Sequence, residues 1–405
     1  MSRKNLHLFE GVGLELEYMI VNAETLDVLP IVEKILKDHN HGELVDELDV
    51  GQIRWSNELV CHVLELKGPG PFTDLTIAAQ AFSESVAHLN GYLGSHGAKL
   101  LPTGMHPWMN PLKETVLWPH GQKEIYDQFN KIFGCQGHGW SNLQSMHINL
   151  PFGTEEEFGR LHAAIRIILP LVPALCASSP IYEGRLHDHP SNRLIFYESN
   201  QARIPSITGG VIPGPVYTFH DYELLLKKMY QDIAPFDPDG VLQGPWLNSR
   251  GAILKFDYGC IEIRLADVQE HPRMDVAIAS FIVALLREFV AEKYCSYSEQ
   301  KLVTTELLRN VYDKANRFTV EQVPLSYAKL FGVTDTDSLP ELLHAVFERV
   351  KGDLPAFAVA SLDHWFEHGT LAMRMRVAFQ RDKDLKKLYQ DLASCLQENR
   401  LFSPY

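Results

Sequence analysis

No CxxC pair occurs in this sequence, and its six cysteines, Cys61, Cys135, Cys176, Cys260, Cys295 and Cys395, lie far apart. A disulfide framework or a zinc ribbon needs patterned thiols, so neither is written here, and a reducing cytosol suits the chain. Basic residues are short: 37 Lys and Arg stand against 51 Asp and Glu, a net charge of −14. A phosphate-backbone binder gathers Lys and Arg on one face to release counterions, so nucleic acid is not an expected partner. There is no GxxxxGK[ST], no GxSxG and no HExxH, and "GVGLELE" lacks the third glycine and following helix of a dinucleotide fingerprint. "HDH" at 187 to 189 has no third metal ligand nearby, and "GCQGHGW" offers Cys135 and His138 without the setting of a nucleophile. Long apolar runs are scarce. The start, MSRKNLHLFEG, has no signal core, and "AAIRIILPLVPALCASSPIY" is broken by Arg166, Pro170, Pro173 and Pro180, which reads as a kinked core helix and not a membrane span.

What is present is an ordinary globular composition, 45% hydrophobic and 22% charged over 405 residues. Strand-like alternation recurs in "GLELEYMIV", "ELVCHVLEL", "AKLLPTGMHP", "QSMHINLPF", "AILKF" and "CIEIRLADV". Between them, Leu75, Ala78, Ala79, Phe82, Val86, Leu89 and Leu93 make one apolar helical face, and a second helix over 155 to 177 opens on three glutamates that suit a positive helix N-terminus. From about residue 273 onward the pattern is helical. Strands first and helices later predict an α+β protein whose helices back one sheet. No boundary divides it, so residues 1–405 are expected to form a single catalytic domain, strand-rich over 1–270 and mainly helical over 271–405. The stretch "PSITGGVIPGP" (205–215) reads as an ordered loop over a site.

In a strand, Gly13, Glu15 and Glu17 point one way while Leu14, Leu16 and Tyr18 point the other. Two carboxylates on one face repel unless a cation sits between them, and Mg²⁺, with its hard oxygen ligands and affinity for nucleotide phosphates, fits. A solvated sheet face would carry the same pair. The device recurs, however. Glu262 and Arg264 share one face of "CIEIRLADV", and Ser145, His147 and Asn149 share one face of "QSMHINL". Glu58 and Glu65 in "NELVCHVLEL" fall on opposite faces of a regular strand, so they meet at one site only through a bulge or if Glu58 precedes the strand. Arg250, Arg193 and Arg203 are fork-shaped cations suited to phosphate or carboxylate.

The ordered motifs "GVGLELEYMIVNAETLDVLP", "NELVCHVLELKGPGP", "LLPTGMHPWMNP", "SMHINLPF", "LPLVPALCASSPIYEG", "SNRLIFYESNQARIP", "LNSRGAILKFDYGCIEIRLADVQ" and "HGTLAMRMR" resemble the glutamate-cysteine ligase family 2 proteins, or carboxylate-amine ligases, of the glutamine synthetase fold group. The resemblance covers nearly the whole chain, with 287 to 360 matching only in helical character. It implies a curved, mostly antiparallel sheet with the active site on its concave face and helices packed behind. It also implies ATP and Mg²⁺, with metal carboxylates at Glu15, Glu17, Glu58, Glu65 and Glu262 and with His147 as a further ligand or phosphate contact. Asn149 stands where many members carry a second histidine, and Met105 where many carry threonine before "HP".

The expected chemistry is ATP-dependent amide formation between a small carboxylate such as glutamate and an amine such as cysteine, in the cytoplasm. Arg250 and Arg264 are expected on phosphates, Arg193 and Arg203 on the acidic substrate, and the loop at 208 to 214 as a closing element. A metal-dependent hydrolase using the same lining, or a relative that binds ATP without turnover, would share these residues. The long apolar helices leave room for self-association.

Overall fold

In the computed structural model the described residues run from 6 to 319 and from 322 to 404. Strand β1, Gly13–Asn22, is the centre of the sheet. It pairs with β4 (Val63–Lys67) along one edge, and along the other with β6 (Ser145–Pro151) over its first half and β5 (Ala98–Leu101) over its second. Beyond β4 lie β3 (Ile53–Asn57) and β2 (Glu47–Val50); beyond β6 lie β10 (Cys260–Asp267) and β9 (Ala252–Lys255). Every pairing in this sheet is antiparallel. A separate two-stranded ribbon joins β7 (Ile181–Tyr182) to β8 (Arg185–Leu186).

The period of two sorts the residues. Leu14, Leu16, Tyr18 and Ile20 of β1, Leu64 and Leu66 of β4, Met146, Ile148 and Leu150 of β6, and Ile261 and Ile263 of β10 enter one apolar core. Helices cover that back face. Leu75–Gly94, capped by the Asp74 side chain on the Thr76 amide, inserts Phe82, Val86 and Leu89, and Pro272–Val290 is buried along most of its length. The helix Glu155–Ile168 begins at Thr154, whose hydroxyl accepts from the Glu157 amide, and passes through the 3-10 turn Leu169–Leu171 into Val172–Cys176. By length and composition Glu155–Cys176 could cross a membrane, yet 89% of its apolar window is buried inside the fold, as a kinked core helix requires.

The front face changes character along β1. Its first half presents Glu15 and Glu17. Its second half presents Met19 and Val21, which pack with Val63 and Leu101 against Leu371, Met375, Leu388, Tyr389 and Leu392 of the helices Leu371–Asp382 and Leu385–Glu398. The carboxylates therefore occupy the part of the front face that the C-terminal helices leave uncovered. The architecture is α+β, an antiparallel sheet with helices, as the element pattern predicts.

Three elements differ from the sequence reading. The hairpin β2–β3 is absent from it, because a four-residue edge strand and its five-residue neighbour, turned by Gly51 at φ 64°, carry too little alternation to show. "ELVCHVLEL" is strand only from Val63. The stretch 205–215 contains the short helix Pro205–Thr208. The core at β6 predicts that Ile148→Ala, which empties a fully buried site between β1 and β10, costs about 2–5 kcal/mol in denaturant unfolding.

Candidate active site

Pairing across the sheet brings the polar side chains together. Glu15 lies opposite His147 on β6 and Lys67 on β4; Glu17 lies opposite Glu65; Glu262 on β10 lies opposite Asn149. Glu15 Oε2 is 2.9 Å from His147 Nδ1, and its Oε1 accepts from Asn149 Nδ2 at 3.0 Å. Glu17 Oε2 accepts from the amide and hydroxyl of Ser145 at 2.7 and 2.8 Å, with Oε1 3.8 Å from His147 Nε2. One ligand atom each from Glu15, His147 and Glu262 lies within 4.8 Å of the other two. Oxygen, nitrogen and oxygen donors at that spacing fit a divalent cation, so these three residues suit the metal that the motifs imply.

Glu58 sits in the connection before β4, which answers how it and Glu65 reach one place: the strand has not yet begun. Glu65 accepts from Ser56 Oγ at 2.6 Å and pairs with Lys67 Nζ at 2.9 Å. Lys255, on β9, pairs with Glu262 and lies 3.7 Å from Glu15, while Arg264 Nε is 3.1 Å from Glu262. The register of β10 against β6 slips by one residue between Ile263 and Ala266, a bulge that begins directly after Glu262 and Ile263 and takes in Arg264.

The electrostatics follow from crowding. Burial opposes charge on Glu15, but the His147 hydrogen bond and the nearby Lys255 and Lys67 outweigh it and hold the carboxyl below its usual range. Burial also opposes charge on His147, yet Glu15, Glu262 and Glu17 push its proton affinity up. Glu65 is raised to about 7 by burial and then by Glu15, and Glu58 is raised well above the usual carboxylate range by burial and then by Glu65 and Glu17. The site is thus short of positive charge even with two lysines in it.

Beside these groups lies a cavity of about 210 Å³. Glu17, Glu58, Ser145, His147, Arg193 and Arg264 are among its polar lining, and Tyr126, Phe129, Trp140, Tyr197 and Trp246 are its aromatic lining. Arg193 is fixed from behind: its Nε donates to Asp267 at 2.7 Å, and Asp267 also accepts from Ser191, Ser179 and the Ser178 amide. Residue 104 must be glycine here, since a Cβ would stand 2.6 Å from the Asp267 carboxyl carbon.

Of the expected site residues, Glu15, Glu17, Glu58, Glu65, His147, Glu262, Arg264 and Arg193 come together. Arg250 and Arg203 do not. Arg250 lies against Gly209 and spends its guanidinium on the Ile207 carbonyl and Asn248, and exposed Arg203 stacks over Phe236 and donates to the Ile132 carbonyl. The stretch 208 to 214 supplies none of the cavity lining. Sequence reasoning missed Lys67 and Lys255. Both lie on charge-bearing faces, Lys67 two residues after Glu65 and Lys255 paired with Cys260, two residues before Glu262.

The chain belongs to the glutamate-cysteine ligase family 2, whose model matches residues 11–390, and so to a family of carboxylate-amine ligases. It is 37% identical over 281 residues to an uncharacterized protein of Archaeoglobus fulgidus, covering 69% of this chain and 75% of that one. A Haloquadratum walsbyi protein named glutamate–cysteine ligase is 27% identical over 308 residues, 73% of this chain and 75% of its own. Among solved structures, a bifunctional glutathione synthetase from Pasteurella multocida superposes with a TM-score of 0.65 at 14% identity, over 96% of this chain. The chain spans about half, 53%, of that protein, and the likeness is one of fold.

Two expectations follow. Glu65 takes its proton more tightly in the folded state, so its contribution to stability is full below pH 4.5 and is lost as pH rises through about 7; the raised His147 adds a loss of the same sign. Thermal unfolding in EDTA should therefore show stability falling as pH rises through neutrality, with Glu65→Gln flattening the slope. Lys255→Met leaves Glu262 with only Arg264. It should destabilise the metal-free protein by roughly 1–3 kcal/mol, less than the roughly 3–5 kcal/mol for a buried charge with no second partner, and shift Mg²⁺-induced stabilisation to lower Mg²⁺.

Proposed function

We propose that the protein uses ATP and Mg²⁺ to join a carboxylate to an amine through an acyl phosphate, and that residues 1–405 act as one catalytic unit. The observation that carries this reading is the convergence of Glu15, His147 and Glu262 from three adjacent strands, with Arg264 beside them and a cavity opening next to them. A divalent cation held by Glu15, His147 and Glu262, with Glu17, Glu58 and Glu65 completing the acidic lining, would neutralise phosphate charge.

The substrate carboxylate oxygen attacks the γ-phosphorus, the bond to the β-bridging oxygen breaks, and ADP leaves with that electron pair. The amine nitrogen then attacks the acyl carbon, expelling phosphate and losing a proton. Arg264 faces the forming charge, and Arg193, held rigid by Asp267, orients the acid. Glutamate and cysteine are the acid and amine that the family's name supplies, and they are the first pair to assay. All six cysteines are unpaired and five are buried, in keeping with a reducing cytoplasm.

Incubation with ATP, Mg²⁺ and pools of acids, with hydroxylamine present to trap an activated acyl group, should release ADP and form a hydroxamate. Glu15→Gln and Glu262→Gln should each lower turnover by about 10²–10³. No ADP with any acid, or full activity in both variants, sinks the reading.

A further inference from the structure

The aromatic lining of the cavity is not accounted for by metal, phosphate or two small polar amino acids. Phe129 lies 5.3 Å from Trp140 and 5.8 Å from Trp246, centroid to centroid, and Leu59, Val60, Val63 and Leu143 continue the same apolar surface. The lining also holds three cationic or protonatable groups, Arg193, Arg264 and His147. Each already faces a carboxylate: Asp267, Glu262 and Glu15. Such a floor can orient one further anionic head. It has no unengaged cation for a second: the other polar lining groups that are not carboxylates, among them Asn200, Gln201, Ser249 and Tyr197, are uncharged and offer hydrogen bonds but no counter-charge.

We propose, resting on the ligase reading, that the organic substrate filling this cavity carries one carboxylate next to an aromatic or bulky apolar group, a departure from the glutamate and cysteine pair. The carboxylate lies against Arg264 and Arg193, and the ring lies among Phe129, Trp140 and Trp246, where edge and face contacts add to burial. The base of ATP is a poorer occupant. The cavity adjoins Glu17 and His147, where the phosphates belong on the ligase reading, and ribose and triphosphate separate the base from that point.

Calorimetric titration of the full chain with Mg²⁺ and a non-hydrolysable ATP analogue decides between these. Phenylalanine, tryptophan and phenylacetate are set against glutamate, cysteine and glycine. The expected result is that an aromatic acid binds at least about tenfold more tightly than any of the small polar ones. Trp246→Ala, at a site 40% exposed on the cavity wall, should abolish that preference and leave nucleotide binding within about twofold. Phe129→Leu, which keeps an apolar side chain there, should weaken it in part. Equal or tighter binding of the small polar acids overturns the proposal, as does no binding of any aromatic acid. Loss of nucleotide affinity in Trp246→Ala does so too, since the rings would then be a base pocket. An aromatic acid that binds here but never supports ADP release, with any amine, counts against the ligase reading and leaves this assignment standing.

Discussion

Like charges held one strand apart set the terms for the rest of this molecule. Backbone pairing fixes Glu15 against His147, Glu17 against Glu65 and Glu262 against Asn149, so the carboxylates cannot move apart without breaking ladder hydrogen bonds. Their repulsion must be met by cations that come to them. Lys67, Lys255 and Arg264 do this in part, and the raised proton affinities of Glu58 and Glu65 mark what is left unmet. A divalent ion is the natural remainder.

Rigidity behind the site serves the same end. Leu14, Leu16, Met146, Ile148, Ile261 and Ile263 are fully buried under helices, and Asp267 with its serine partners holds Arg193 from the side away from the cavity. Electrostatic preorganisation of this kind works only if the dipoles and charges stay where they are when the reacting charge develops. The apolar back of the sheet and the polar front are thus one device seen from two sides.

Much of this was legible in the sequence because strands advertise their faces. The alternation in "GLELEYMIV" and "CIEIRLADV" placed Glu15, Glu17 and Glu262 correctly, and the interval between Glu58 and Glu65 announced a break in regularity that proved to be the start of β4 at Val63. Arginines were harder. What decides the role of Arg250 or Arg203 is whether a backbone carbonyl such as that of Ile207 or Ile132 reaches the guanidinium first, and no local pattern reports that. The aromatic wall was silent for a related reason. Phe129 and Trp140 are near each other in the chain, but Tyr197 and Trp246 come from segments well removed from them and join them only once the fold is closed.

The second half of the front face of β1 continues the acidic row, since Met19 and Val21 share that row with Glu15 and Glu17. The helices Leu371–Asp382 and Leu385–Glu398 act there as a bulkhead. In a chain cut before Leu371 the oily half of that row would lie bare beside the acidic half, and solvent would have a way in along the strand. These C-terminal helices, packed on Met19, Val60 and Val63 next to the acidic half, thereby limit how far water can travel toward it.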